Sequence, residues 1–214
     1  MLAVIDYGMG NLRSVTNAFA GLGCDAIIAR QPEELKQADM IVLPGVGAFG
    51  DGMRNLNAAG WIDALEQEVR VAGKPFLGIC LGMQLLATSG TEHGTHAGLN
   101  WIPGISRRLD CNSDPTLRLP HIGWNDVHFL KRDGLFADMK ETDTFYFVHG
   151  YILDPEDISV ASSFCNYGED FVATVESENI FAAQFHPEKS HKAGLAVLGN
   201  FLRLASKSAC LKSV

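Results

Sequence analysis

The chain has 214 residues, a mass of 23.2 kDa, 47% apolar and 20% charged residues, and a formal net charge of -8. That length suits one domain burying roughly 70% of its unfolded surface without a disulfide or metal staple, and the composition excludes a disordered or fibrous chain. Seventeen basic against 25 acidic residues argue against nucleic acid held through phosphates, no apolar run reaches the roughly 18 residues of a membrane span, and residues 1–6 lack the basic segment of a signal peptide.

Residues 2–6 are an apolar run closed by Asp6, Gly8 and Gly10, a buried strand opening into a Gly-rich turn. Leu12, Val15, Phe19 and Leu22 mark one face of a helix over 11–22, and 26–29 is a second short strand. Pro32 opens a short helix over 32–37. Residues 40–43 are a third apolar run, stopped by Pro44-Gly45-Val46-Gly47. Trp61, Ile62, Leu65 and Val69 predict a helix over 61–71, residues 75–80 a fourth strand, and 81–88 the helix after it. Short unbroken apolar strands alternating with helices imply a parallel sheet covered on both faces. The pattern then changes: strand-like runs at 101–109, 125–130, 144–148, 159–164, 171–175 and 180–185 predict antiparallel additions to the main sheet. Leu195, Leu198, Phe201 and Leu202 place a closing helix over 194–204. With no repeat, linker or low-complexity stretch, residues 1–214 read as a single α/β domain.

The cysteines at 24, 80, 111, 165 and 210 are odd in number and form no C-x-x-C, which argues against a disulfide framework or zinc site and predicts a reducing, cytoplasmic setting. Each is then a small core residue or a chemical group.

Three places carry chemistry. Gly78-Ile79-Cys80-Leu81-Gly82 puts a cysteine between glycines where a strand enters a helix, the nucleophile-elbow pattern with sulfur in the central place. A helix N-terminus there favours the thiolate, and the Leu81 N–H is free for an oxyanion. In Phe185-His186-Pro187-Glu188, His186 can act as base and Glu188 as its orienter; on an extended strand both would point the same way. The Pro44–Gly47 turn lies at the carboxyl end of a parallel strand, where its N–H groups can complete an oxyanion hole or cradle a phosphate. Alone, each has a plainer reading: a packed core cysteine, a surface turn, a tight loop. His93, His96, His128 and His191 sit in polar stretches and read as surface, whereas His121 and His149 flank strands and stay open. There is no P-loop and no G-x-G-x-x-G.

Together, GICLGMQ around Cys80 and QFHPEKS around His186 and Glu188 resemble the class I triad glutamine amidotransferases. DYGMGNLRSV, LPGVGAFGDGM, PHIGWNDV, YFVHGY and the closing GNFL are similar to the branch that serves as the glutaminase subunit of imidazole glycerol phosphate synthase. The resemblance runs from residue 5 to about residue 202 in the expected order. It implies hydrolysis of glutamine to glutamate and ammonia through a Cys80 thioester, with no metal or organic cofactor. His186 would take and return protons and Glu188 would hold it. The oxyanion hole would use the Leu81 N–H and a backbone N–H in the Val46-Gly47 turn, and the oxyanion strand at 44–47 is expected to be poorly aligned in the free chain. Gln84, Glu92, Gly150 and Tyr151 match positions near the bound glutamine. Met9, Asn11, Trp124, Tyr146 and Lys189 match positions facing a (β/α)₈ synthase, which would form a heterodimer with this chain and receive the ammonia to make imidazole glycerol phosphate and an aminoimidazole carboxamide ribotide.

Three stretches depart from the family pattern. Gly150 stands where Ser or Thr is usual, 87–92 reads ATSGTE in place of a more acidic, aromatic stretch, and 107–119 is unlike the usual form. They leave room for a paralogue feeding ammonia to another acceptor, such as a surface-glycan sugar. A stand-alone cysteine hydrolase is disfavoured by PGVG and HPEKS, and a non-catalytic module by the intact Cys80, His186 and Glu188.

Overall fold

The computed structural model describes residues 1–211, with side chains through residue 206. Cys210 therefore lies outside the described side chains. The first half alternates strand and helix as the apolar runs require: β1 (Leu2–Ile5), α1 (Leu12–Gly21), β2 (Ala26–Ala29), a 3₁₀ turn (Pro32–Gln37), β3 (Met40–Gly45), α2 (Phe49–Ala58), α3 (Trp61–Leu65), β4 (Phe76–Cys80) and α4 (Leu81–Gln84). Asn11 caps α1, its side-chain oxygen accepting from the Ser14 N–H at 3.2 Å. The second half holds β5 (Ser89–Gly90), β6 (His96–Ala97), β7 (Gly104–Arg108), β8 (His121–Phe129), β9 (Thr142–His149), β10 (Tyr151–Pro155), β11 (Ala161–Tyr167), β12 (Glu169–Ser177), β13 (Ile180–Ala183) and α5 (His191–Leu211).

The main sheet has nine strands in the order β2-β1-β3-β4-β13-β12-β11-β8-β9. β2, β1, β3, β4 and β13 run parallel, and the remaining pairs are antiparallel. Side chains alternate across it: Ala3 and Ile5 join one core cluster, Leu2 and Val4 the other. The chain crosses from one side of β1 to the other between β2 and β3, so the crevice at the carboxyl ends of β1 and β3 is the topological switch point where such sheets bind ligands.

Several expectations are corrected. The helix foreseen over 81–88 ends at Gln84, because the carbonyls of Leu85, Leu86 and Ala87 accept N–H groups from residues 99–102 instead of continuing the helix. The helix over 61–71 is α-helical only to Leu65 and passes into a π-helical turn over Glu66–Val71. α2 is hidden in the sequence by Gly50 and Gly52; at Gly52 a Cβ would lie 3.2 Å from Leu85 side-chain atoms. The run at 101–109 does not extend the main sheet. It forms a second sheet, β10-β7-β5-β6, whose β10 the sequence does not reveal.

Candidate active site

β4 delivers Cys80 with φ 54° and ψ -107°, a backbone conformation that a residue with a side chain rarely adopts. The flanking glycines make the turn possible. A Cβ at Gly82 would run into the Leu43 carbonyl oxygen, and one at Gly78 would lie 2.7 Å from the Gly82 carbonyl oxygen. The sulfur is 3.8 Å from the Val148 carbonyl oxygen, to which the thiol donates, and accepts from Gln184 Nε2 at 3.7 Å. α4 is a single turn, so its dipole is smaller than the sequence suggests.

The next strand, β13, is parallel to β4 and is followed by His186 and Glu188. Contrary to the sequence expectation, these two do not share an extended strand. Pro187 starts a 3₁₀ turn, Pro187–Lys189, that folds the carboxylate back toward the ring. His186 Nδ1 donates to Glu188 Oε1 at 2.8 Å, and both side chains are almost fully buried. Ser190 Oγ donates to the His186 carbonyl at 2.6 Å, and the His186 N–H donates to the Tyr146 carbonyl at 2.9 Å. Burial is the largest influence on His186 and disfavours its charge, but interaction with Cys80 and Glu188 outweighs it and raises the pKa to about 9. With Nδ1 committed to Glu188, Nε2 is left for the thiol; it has no hydrogen-bond partner in this conformation, and catalytic hydrogen bonds commonly close only when substrate binds. A thiol, an imidazole and a buried carboxylate in this order can carry nucleophilic acyl transfer.

Beside the thiol, Gln84 Nε2 donates to the Tyr151 carbonyl at 2.8 Å and to Gln184 Oε1 at 3.2 Å. Gln184 belongs to QFHPEKS, but sequence reasoning assigns it no role; its signal is a polar residue ending an apolar strand. Gly150 lies between β9 and β10 with only Pro120 near its missing Cβ, at 3.9 Å. His121 and His149, left open by the sequence, are buried and explain each other. The Tyr151 carbonyl only accepts, so His149 Nδ1, 3.0 Å away, carries a proton. His149 Nε2 then accepts from His121 Nδ1 at 3.1 Å. Burial lowers His121 to about 4; burial and the neighbouring His121 lower His149 to about 3. His96, expected at the surface, is half-buried with its ring against Gly50, whereas His93, His128 and His191 are exposed.

Pro44 and Gly45, expected in the Gly-rich turn, instead extend β3 and pair with Ile79 and Cys80, so the turn begins at Val46, which is exposed, and Gly47, at φ 114°. Glu92 touches the far end of this turn: its Oε2 accepts from the Phe49 N–H at 2.8 Å and so caps α2. Met9 reaches over the turn, its Cε lying 2.6 Å from where a Gly47 Cβ would be. Among the described residues, five buried side-chain polar atoms lack a partner, and three of them, Tyr7 Oη, His186 Nε2 and Glu188 Oε2, lie around this site. An unpaired buried hydroxyl costs about 1–3 kcal/mol.

Trp124, Tyr146 and Lys189 gather on one face. The Trp124 indole packs edge-on to Tyr146 and stacks on His191, and Lys189 Nζ lies 5.8 Å from the Tyr146 ring centre. In the segment 107–119, Arg107 binds Glu169 through two nitrogens at 2.7 and 2.9 Å and Asp154 at 2.6 Å, joining β7, β10 and β12. That arrangement supports the scaffold and does not reach Cys80.

Residues 3–204 match the family described as glutamine amidotransferase class-I. The imidazole glycerol phosphate synthase subunit HisH of Geobacter sulfurreducens is 46% identical over 203 residues, 94% of this chain and 97% of its own. That of Aquifex aeolicus is 46% identical over 205 residues, covering 95% and 97%. PurLQS from Thermotoga maritima superposes with a TM-score of 0.71 at 20% identity, covering 95% of this chain and 97% of its own. The glutaminase domain of Trypanosoma brucei CTPS superposes at 0.67 with 19% identity, covering 96% and 93%. These two support the fold. The chain therefore belongs to the class I glutamine amidotransferases, in the branch of the imidazole glycerol phosphate synthase HisH subunits.

Proposed function

We propose that residues 1–214 form one glutaminase domain that supplies ammonia to a (β/α)₈ synthase subunit in histidine biosynthesis, in the cytoplasm. The observation that carries the chemistry is the strained Cys80 elbow beside the buried His186–Glu188 pair on the neighbouring parallel strand. His186, its proton affinity raised by Cys80 and Glu188, holds the proton drawn from the thiol as an imidazolium, so that the sulfur attacks as thiolate. The thiolate attacks the glutamine side-chain carbonyl. His186 returns the proton to the leaving ammonia, and a glutamyl thioester remains on Cys80. Water then attacks as His186 takes its proton, glutamate leaves, and the thiol is restored. The Leu81 N–H and an N–H of the Val46-Gly47 turn hold the oxyanion. Gln84, Glu92 and the main chain of Gly150-Tyr151 bind glutamine, and Gln184, bonded to both Gln84 and Cys80, steadies the sulfur.

The synthase docks on Met9, Asn11, Trp124, Tyr146 and Lys189. An exposed apolar strip supports this reading. Ile122 and Trp124, two apart on β8 and so on one face, are 60% and 47% exposed, and a groove of about 610 Å³ runs from Trp124 to Leu195. The test is glutamate release from glutamine by the chain alone, with the synthase, and with the synthase plus the histidine-pathway ribonucleotide. Large stimulation by synthase and ribonucleotide together is expected. Stimulation by the synthase that ignores the ribonucleotide would move the ammonia to another acceptor, and no release under any condition would refute the glutaminase.

A further inference from the structure

A buried hydroxyl without a partner lies against the turn that forms the oxyanion hole in the proposed reaction. Tyr7 follows β1 and is 4% exposed, and its Oη occupies the space that a Cβ on Gly45 would take. Gly45 is also the residue opposite Cys80 in the β3–β4 register. Tyr7 and Cys80 approach it from opposite sides of the sheet. Tyr7 belongs to the core cluster of Leu43, Phe49 and Leu81, whereas Cys80 belongs to the cluster of Val42, Ile79 and Phe185. The whole arrangement sits at the switch point between β1 and β3.

A planar trans peptide points its N–H and its C=O in opposite directions. If a peptide of the turn directs its N–H toward the Cys80 face, its carbonyl is directed toward the Tyr7 face. Gly47, at φ 114°, lets the turn after β3 rotate without a side chain obstructing it. Burial first, and then the nearby Cys80, push the Tyr7 pKa up, so the phenol keeps its proton and acts as a donor.

We propose that Tyr7 is a positioning residue: its hydroxyl, unpaired in this conformation, donates to the Gly45 or Val46 carbonyl once the N–H of the same peptide turns to the oxyanion. The proposal rests on the glutaminase reading and adds a residue that stabilises the competent form of the turn. The loop carrying Tyr7 also carries Met9, packed on Gly47, and Gly10, whose missing Cβ would lie 3.5 Å from Gly45. Met9 and Asn11 are the residues proposed to meet the synthase, so docking acts on the same loop.

Tyr7→Phe removes the hydroxyl and keeps the ring. With the synthase and its ribonucleotide, kcat for glutamine hydrolysis should fall about tenfold, the effect of one hydrogen bond, with KM for glutamine nearly unchanged. The free chain should melt no lower than the wild type, because a hydroxyl without a partner has been removed. An unchanged stimulated kcat would overturn the proposal, as would a lowered melting temperature, which would show the hydroxyl already bonded in the resting form. A wild-type complex that releases no glutamate would instead refute the underlying glutaminase, and the role of Tyr7 with it.

Discussion

β4 and β13 lie side by side, run parallel, and each leads into a group of the proposed triad, yet the two strand ends are built differently. Cys80 sits in a strained positive-φ backbone that exists only because Gly78 and Gly82 let other backbone pass where a Cβ would stand. His186, at φ -98°, is relaxed, and Pro187 turns the chain so that Glu188 meets the imidazole without strain. The nucleophile is positioned by steric exclusion, the base by a buried ion pair and by the main-chain bonds to Tyr146 and Ser190. Glycine-to-alanine changes should therefore disrupt the first end through packing, and charge-neutral changes the second through electrostatics.

The largest effect expected is on the nucleophile itself. Cys80→Ser should lower synthase-stimulated glutamate release by at least about a thousandfold while leaving the fold intact. Glu188→Gln tests the other end and should lower kcat by about a hundredfold. It should also bring the His186 pKa down from about 9, as read by NMR titration. Because His186 is raised above its ordinary 6.5, its contribution to stability is complete below pH 6.5 and lost as pH rises through about 9; the variant should show a flatter decline over that interval. Gly82→Ala should cost about 3 kcal/mol, because the new methyl meets the Leu43 carbonyl and backbone cannot give way cheaply; thermal unfolding measures it.

Smaller effects come from the periphery of the site. His121 and His149 have lowered pKa values, so the unfolded chain takes up protons first as pH falls. Stability should drop from pH 6.5 toward about 4 with a slope of up to two protons, and His121→Phe should reduce that slope in urea unfolding. The smallest effect is expected at Gly150→Ser, which puts in the hydroxyl residue that the resemblance leads one to expect there. Only Pro120 lies near the new Cβ, at 3.9 Å, so glutaminase kcat should change by less than about twofold.

The parallel half is legible in the sequence because each strand is a short apolar run bounded by Gly or Pro, a pattern set by burial on both faces. The expected β2 matches to the residue, and β1, β3 and β4 match to within two. The elbow's backbone is legible for the same local reason, a cysteine between two glycines at a strand–helix junction, but its chemistry is legible only together with QFHPEKS and the Gly-rich turn. α2 escapes notice because its two glycines weaken the helical pattern and their purpose, close approach to Leu85 and His96, lies in other elements. The second sheet escapes notice because β5 and β6 are two residues each, too short for any periodicity; β5 is held by β7, and β6 by β5.

The alternation of strand and helix, the place of the nucleophile and the family all follow from the order of residues along the chain, because they depend on neighbours within a few positions and on a specific succession of motifs. Two features arise only from long-range packing: Gln184 and Gln84 joining Cys80 to the β10 backbone, and Tyr7 lying unpaired against Gly45. Residues 7 and 45, or 84 and 184, meet only when the sheet brings distant segments of chain together. Whether a buried polar group finds a partner is decided by that assembly, not by the group's own neighbours along the chain.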